Sequence, residues 1–393
     1  MRKKILIALI VLAGFHSPSL AQNQTDRTLA EIEKNNTRLS ALRKRAEADK
    51  LENKTGISLQ NPEAAFNYLW GTPSGIGNRT DISITQTFDF PAAYGIKNQI
   101  SDLKNEQLEL EYEKQKKGLL LKARLICVDL IYTNALKKEL TQRHTRAERI
   151  AGSFKSKFNA GEINILDYNK AQLSLLKLTK EMELLDIERK SLLGELARLN
   201  GGTPVDFTDD VFPQTLLPAD FDQWYAVAEQ RNPLLNWLKK EVELSRKQVS
   251  LHKALSLPKF QAGYMSEKVV GERFQGLTVG MSIPLWETKN TVKYAKANEI
   301  AVESAAADSK ADLYNELRAL HAKAVQLKNS SREYQSQLKE FDNSRLLVKA
   351  LDKGEISLID YLVELSVWYE SRNRVLELEK EKNRSIAELN WFL

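Results

Sequence analysis

The chain carries one unit twice. Gly161-Glu162-Ile163-Asn164-Ile165-Leu166-Asp167-Tyr168 returns as Gly354-Glu355-Ile356-Ser357-Leu358-Ile359-Asp360-Tyr361, every position moved by 193 residues, and Pro91 and Pro284 keep that spacing. Upstream, Asn36 and Leu39 match Asn232 and Leu235, and Pro62 and Tyr68 match Pro258 and Tyr264, at a spacing of 196. The difference puts a three-residue length change into one loop between Tyr68 and Pro91. A period this long is outside the range of solenoid repeats, about 20–50 residues. The chain therefore reads as a duplicated half-molecule, with a first repeat over 22–200, a linker over 201–222 rich in Gly and Pro, and a second repeat over 223–393.

Each copy changes period along its length. A helix from Thr28 to about Leu59 opens the first. Alternating aromatic and β-branched residues then predict a β-hairpin over about 62–91, and a second over about 258–285. Each hairpin feeds a helix nearly free of Pro and Gly, over about 94–159 and about 286–351. About 65 residues at 1.5 Å each make a rod of about 100 Å, far beyond the usual globular helix. After Gly161, Leu175, Leu178, Met182, Leu185, Leu192, Leu196 and Leu199 step by three, four and seven, a seam for helix-on-helix packing. The linker has a short strand around Val205–Phe207. Trp224 to Arg231 forms a short helix, and Pro233 starts another that ends near Leu257. Leu166–Leu199 and Leu234–Leu257, stacked end to end, approach the length of one long helix. The fold class is mainly α with a small β contribution, four strands per chain.

Met1 to Ala21 reads as an export signal: Arg2, Lys3 and Lys4, an apolar run over Ile5–Phe15, and Ser19-Leu20-Ala21 before Gln22. Its removal takes the formal charge from +6 to +3, so the basic balance is no nucleic-acid footprint. No later stretch reaches the ~20 apolar residues of a spanning helix. Cys127 lies in an apolar run and reads as a core residue. The histidines after the leader, His144, His252 and His321, stand apart from any second ligand. No nucleophile elbow, phosphate loop or paired carboxylates occur. We expect no enzyme, no metal site and no cofactor.

The strands point to lipid. Ile82, Ile84, Phe88, Phe90, Leu277, Val279, Met281 and Ile283 form one set, and Ser83, Thr85, Thr87, Asp89, Thr278 and Ser282 alternate with them. An apolar outside and a polar inside mark a water-filled membrane barrel, with Trp70, Tyr68, Tyr264, Phe88, Phe90 and Trp286 as aromatic girdles. Four strands cannot close a barrel, and open edges are intolerable in hydrocarbon. Three chains give twelve strands. A half-buried soluble sheet has the same periodicity, and a soluble periplasmic coiled-coil adaptor or scaffold is the alternative function. In the repeated element, Gly161 and Gly354 supply left-handed turns, Asn164 and Ser357 cap the next helix, and Asp167 and Asp360 fall in its first turn. These acids either cap the helices or, at a threefold tip, form charge rings that select cations. Glu162 and Glu355 are neighbouring candidates.

These features together resemble the TolC-like outer-membrane factors. The resemblance is carried by the duplicated helix–hairpin–long-helix plan, Asn232-Pro233-Leu234-Leu235, Phe88-Asp89-Phe90-Pro91, Gly280-Met281-Ser282-Ile283-Pro284-Leu285, and Phe158-Asn159-Ala160-Gly161 with Asp167. It covers nearly the whole chain after the leader. It implies a homotrimer in the outer membrane of a Gram-negative bacterium: a twelve-stranded barrel continued by a periplasmic α-helical barrel. Such a molecule is the passive exit duct of a tripartite efflux or type I secretion system, partnered by a periplasmic adaptor and an inner-membrane pump. It also implies that Asp360 and Asp167 belong to the periplasmic gate and tip, and that the turns at Gly161, Gly354, Ile163 and Ile356 meet the adaptor. The family's second gate acid is replaced by Val363, and its basic residue near Ile356 is absent. Asn61-Pro62 and Asp89-Phe90-Pro91 look most like the heavy-metal efflux branch.

Overall fold

The structure is a computed structural model that describes residues 24–214 and 216–392; the export signal of 1–21 lies outside the described residues. The first half runs α1 (Gln24–Asn35), α2 (Thr37–Glu52), β1 (Glu63–Trp70), β2 (Asn78–Phe88), α3 (Pro91–Asn159) and α4 (Ile165–Leu199). The second runs α5 (Phe221–Arg231), α6 (Pro233–Leu255), β3 (Lys259–Val269), β4 (Glu272–Ser282), α7 (Thr291–Glu340), α8 (Ser344–Asp352) and α9 (Leu358–Asn390). The 69 residues of α3 extend about 100 Å.

Two expected helices are broken. The single helix from Thr28 to Leu59 is interrupted at Asn36, whose backbone is extended and whose side chain accepts from the Leu39 amide at 2.9 Å. It also ends earlier, at Glu52. The second long helix begins at Thr291, behind the left-handed Asn290, rather than at Trp286. It breaks between Glu340 and Ser344, where Asp342 Oδ1 accepts from the Ser344 amide at 3.1 Å. Asx side chains offer the backbone a local alternative to the helical ladder. Glu148, Arg149 and Ile150 occupy the matching positions of α3, which stays continuous.

The stacked partners also differ from expectation. Asn36 Nδ2 donates to the Leu199 carbonyl at 2.6 Å, and Asn35 Nδ2 to Asn200 Oδ1 at 3.0 Å. The end of α4 therefore abuts the start of α2, not α6. In the second copy Leu389 of α9 clusters with Leu235 of α6. Each long helix is thus backed by two short helices of its own repeat meeting at mid-length, and α3 also packs against α6 and α9.

The main cores lie at these joints. Leu29, Ile32, Ile126, Leu130, Leu196 and Phe207 form one, Trp224, Tyr225, Leu235, Leu313, Leu317 and Leu389 the other. Val205–Phe207 forms no strand. Phe207 instead plugs its joint as a fully buried side chain, and its carbonyl accepts from Arg189 Nη2 at 2.9 Å. Cys127 is fully buried there, and burial pushes its thiol up to about 12. Asn232, 1% exposed, caps α6 by accepting from the Leu234 and Leu235 amides at 2.8 and 3.1 Å. Asn232→Ala should cost about 1–2 kcal/mol, read as a lower midpoint in thermal or urea melts. An unchanged midpoint would dismiss the cap as a support of the joint.

Candidate functional site: the sheet and the helical tip

The four strands form one antiparallel sheet in the order β1-β2-β3-β4, so β1 and β4 are open edges. Its register sorts the side chains. Ala64, Ile84, Tyr264 and Leu277 share one cross-strand row, and Phe66, Ile82, Ser266 and Gln275 the next. Phe88, Phe260 and Met281 share another, with Gln86, Ala262 and Val279 between. The alternate rows hold Asn67, Asp81 and Glu267, then Ser83 and Met265, then Thr85, Gly263 and Thr278, then Thr87 and Gln261. The expected apolar set Ile82, Ile84, Phe88, Leu277, Val279 and Met281 therefore lies on one face, because side chains alternate along a strand. That face has nothing over it: Leu277 and Val279 are each 86% exposed.

Three expected strand residues lie elsewhere. Phe90 is the residue before α3, Ile283 follows the end of β4, and Asp89 sits in the strand-to-helix joint, paired with Lys97 Nζ at 2.9 Å. Pro91 begins α3 at once, which cuts the ladder before Asp89. The opposite face is also less uniformly polar than expected, since Leu69, Val269 and Phe274 fall on it near the hairpin ends.

The aromatics form two belts. Tyr68 and Trp70 meet edge to face at 5.9 Å at the hairpin end, and Phe90 and Phe260 lie 6.5 Å apart at the helix end, near the exposed Trp286. Tyr264 sits mid-sheet, level with Leu277, and belongs to neither belt. Between the rows of Asn78 and Phe88, at about 3.3 Å per residue, lie about 33 Å of strand. A tilt of about 40° reduces this to about 25 Å, the height of a membrane barrel's apolar band. Beneath the hairpin end, on the polar face, Arg79 Nε bridges Asp81 at 2.8 Å and Glu267 at 3.1 Å, so the cation on that face is held by two acids.

At the far end of the helices the repeated element makes two matching turns. The Glu162 amide donates to the Lys157 carbonyl at 2.9 Å and the Gly161 amide to Phe158 at 3.0 Å. Glu355 and Gly354 repeat this on Ala350 and Leu351, at 2.8 and 3.0 Å. Gly161 and Gly354 have φ of 76° and 73°, which favours glycine. Asn164 Oδ1 accepts from the Asp167 amide at 2.9 Å, and Ser357 Oγ from the Asp360 amide at 3.2 Å. The capping role of both elements is thus realised. Asp360 Oδ2 in turn accepts from Ser357 Oγ at 2.6 Å and from its amide at 3.2 Å, and these bonds hold its carboxyl below the usual aspartate range. Asp167 lies 3.8 Å from Lys170. Glu162 and Glu355 are exposed on the turns, Glu355 3.8 Å from Lys353, while Ile163 and Ile356 are half-buried behind them. The four acids are distributed over two separate turns, with no hydrogen bond between Asp167 and Asp360 among the described residues.

A set of residues absent from the sequence reading joins the two helical hairpins above these turns. Arg143 of α3 is 4% exposed, lies over the Tyr369 ring at 4.2 Å and donates to Asn373 Oδ1 at 2.9 Å. Arg146 Nη1 reaches Tyr369 Oη at 3.2 Å, and Arg372 pairs with Glu139. Burial draws the Arg143 guanidinium below its ordinary range and raises the phenols, Tyr361 to about 12. The sequence signal here is the apolar and aromatic stripe of Tyr361, Leu365, Trp368 and Tyr369 along one face of α9, which marks a packed face without naming the arginines that meet it.

No protein-family model and no curated protein matches the sequence. Solved structures do. The Campylobacter jejuni CmeC outer membrane channel aligns with a TM-score of 0.74 at 14% identity, over 94% of this chain and 85% of that one. The outer membrane protein VceC from Vibrio cholerae aligns at 0.77 and 10%, over 94% and 96%. The Neisseria gonorrhoeae MtrE outer membrane channel, in its open state, aligns at 0.67 and 14%, over 94% and 88%. The chain has the TolC-like fold. That fold accounts for a sheet bare on one face and open at both edges, carried on rods longer than any compact domain needs. In this TolC-like chain, no helix among the described residues is long and apolar enough to cross a membrane; the candidate lipid contact is the sheet.

Proposed function

We propose that three copies of this chain form the exit duct of a tripartite efflux or type I secretion system in a Gram-negative outer membrane. The observation that carries this is the sheet: four strands, two unpaired edges and an uncovered apolar face. Each unpaired backbone group in hydrocarbon costs several kcal/mol, so β4 of one copy pairs with β1 of the next until twelve strands close. A twelve-stranded barrel is wider than the eight-stranded kind filled by its own side chains, and Ser83, Thr85, Thr87 and Thr278 line its water. A soluble scaffold leaves Leu277 and Val279 facing solvent without return. Detergent extraction of the outer-membrane fraction should yield a strongly helical trimer. A monomer released by osmotic shock would end this reading.

The helices continue the barrel toward a periplasmic adaptor and its inner-membrane pump, which meet the turns at Gly161, Ile163, Gly354 and Ile356. The duct is passive, and cargo is chosen by the pump. The heavy-metal assignment rests on Asn61-Pro62 and Asp89-Phe90-Pro91 alone. At the tip, threefold symmetry turns Asp360 into a ring of three carboxylates, with Asp167, Glu162 and Glu355 as outlying acids. Asp360→Asn keeps one oxygen to accept from Ser357 and removes the charge. Conductance in planar bilayers should rise and block by multivalent cations should weaken. Because the Ser357 bonds depress the Asp360 pKa, the charge is present above the ordinary aspartate range and persists as pH falls through it. Block should therefore fade only below that range. Unchanged conductance and block would remove Asp360 from the gate.

A further inference from the structure

One row of the sheet's apolar face breaks its character. Tyr68, Thr80, Lys268 and Arg273 stand side by side on the four strands, two rows nearer the hairpins than Ala64, Ile84, Tyr264 and Leu277. Lys268 and Arg273 are direct cross-strand partners, both exposed. Like charges placed opposite each other are destabilising. Among the described residues no carboxylate oxygen lies within 4.0 Å of either; Arg273 Nε donates only to Ser266 Oγ, at 3.0 Å. The contrast with the other face is direct, since Arg79 there holds two acids. Two opposed cations without an anion, level with the exposed rings of Tyr68 and Trp70 on β1, mark the height where hydrocarbon gives way to charged headgroups.

We propose that Lys268 and Arg273 bind phosphate groups on the glycolipid of the outer leaflet, one site per chain and three per trimer. This rests on the exit-duct reading, which sets the hairpins outward and this face to lipid. Arg273 offers a fork that grips a phosphate with two bonds, and Lys268 a compact charge for a second oxygen or a second phosphate. The ligand is therefore an anionic lipid headgroup with phosphate, held where the apolar face ends.

The test uses the purified full-length trimer, first checked for channel activity in planar bilayers. A wild-type protein that neither inserts nor forms trimers refutes the exit-duct reading itself. With active trimers, native mass spectrometry is used to titrate bis-phosphorylated lipid A, its dephosphorylated form, and inorganic phosphate as a competitor. A basic side chain at a charged lipid surface contributes about fivefold in affinity, so K268Q/R273Q should bind bis-phosphorylated lipid A roughly thirtyfold more weakly. K268R/R273K should stay within about threefold of wild type, and R273Q alone should fall between. Wild type should prefer the phosphorylated lipid, with millimolar phosphate failing to displace it. Equal binding by wild type and K268Q/R273Q, or equal binding of the two lipids, overturns the proposal. So does displacement by inorganic phosphate, which would make the pair a site for the free anion.

Discussion

Leu277→Arg should abolish recovery of the trimer from the outer membrane. Leu277 sits halfway between the two aromatic belts on the uncovered face, in the row of Ala64, Ile84 and Tyr264. An arginine on the lipid side of a barrel at its midplane costs about 2–4 kcal/mol. Symmetry places three in one assembly, so the cost approaches the whole stability of an ordinary domain, about 5–15 kcal/mol. The adjacent Thr278 points to the other face, opposite Gly263. Thr278→Arg should still give trimers, with lower conductance because three guanidinium groups enter the lumen. Heat-resistant trimer on a gel and conductance in bilayers measure both. Recovery of Leu277→Arg trimers at the wild-type level would mean that this face does not meet lipid.

Tyr369→Ala should leave the trimer assembled and raise its conductance. The Tyr369 ring is the shared partner of Arg143 at 4.2 Å and Arg146 at 3.2 Å, and so ties α9 to α3. A desolvated cation–π contact and a hydrogen bond to a charged group each contribute on the order of 1–2 kcal/mol. Three copies of the two contacts then remove roughly 6–12 kcal/mol from the arrangement that holds the hairpins together. That exceeds the ~5.5 kcal/mol needed to turn a two-state population from 1:99 to 99:1. The tie lies about 25 Å above the turns at 1.5 Å per residue, so adaptor binding at Gly161 and Gly354 should be nearly unaffected. A trimer with a lower melting temperature and wild-type conductance would reduce the contact to a structural support.

Much of this architecture could be read from the residues because two simple periods express it. Alternation placed Ile82, Ile84, Leu277 and Val279 on one face, and the 193-residue echo matched the turns at Gly161 and Gly354. What escaped depends on competition or on distance. Asn36 and Asp342 interrupt helices because their side chains outbid the ladder locally, and neither interruption alters the apolar pattern around it. The joint of α4 with α2 hangs on Asn36 and Leu199, 163 residues apart, and no periodicity reports such a pairing. Arg143 looks like any charged residue on a long helix until α9 arrives to bury it. At the tip, position alone left Asp167 and Asp360 with two roles; the Asp360 carboxylate makes the capping bonds to Ser357, whereas the Asp167 carboxylate faces Lys170.

The meeting of short helices at mid-height has a consequence for how such a tube can change in length. Each is a butt joint laid against a helix that runs continuously past it, with α1 or α5 fastened across it like a splice plate. Lengthening α3 alone would slide its turn past α4 and unship the Asn36–Leu199 contact. A longer version must therefore add matching segments to all four members below the joints at once, α3 with α4 and the α7–α8 pair with α9. Elongation is a carpenter's problem, solved in coordinated steps, whereas the loops beyond the strands are free to differ by single residues.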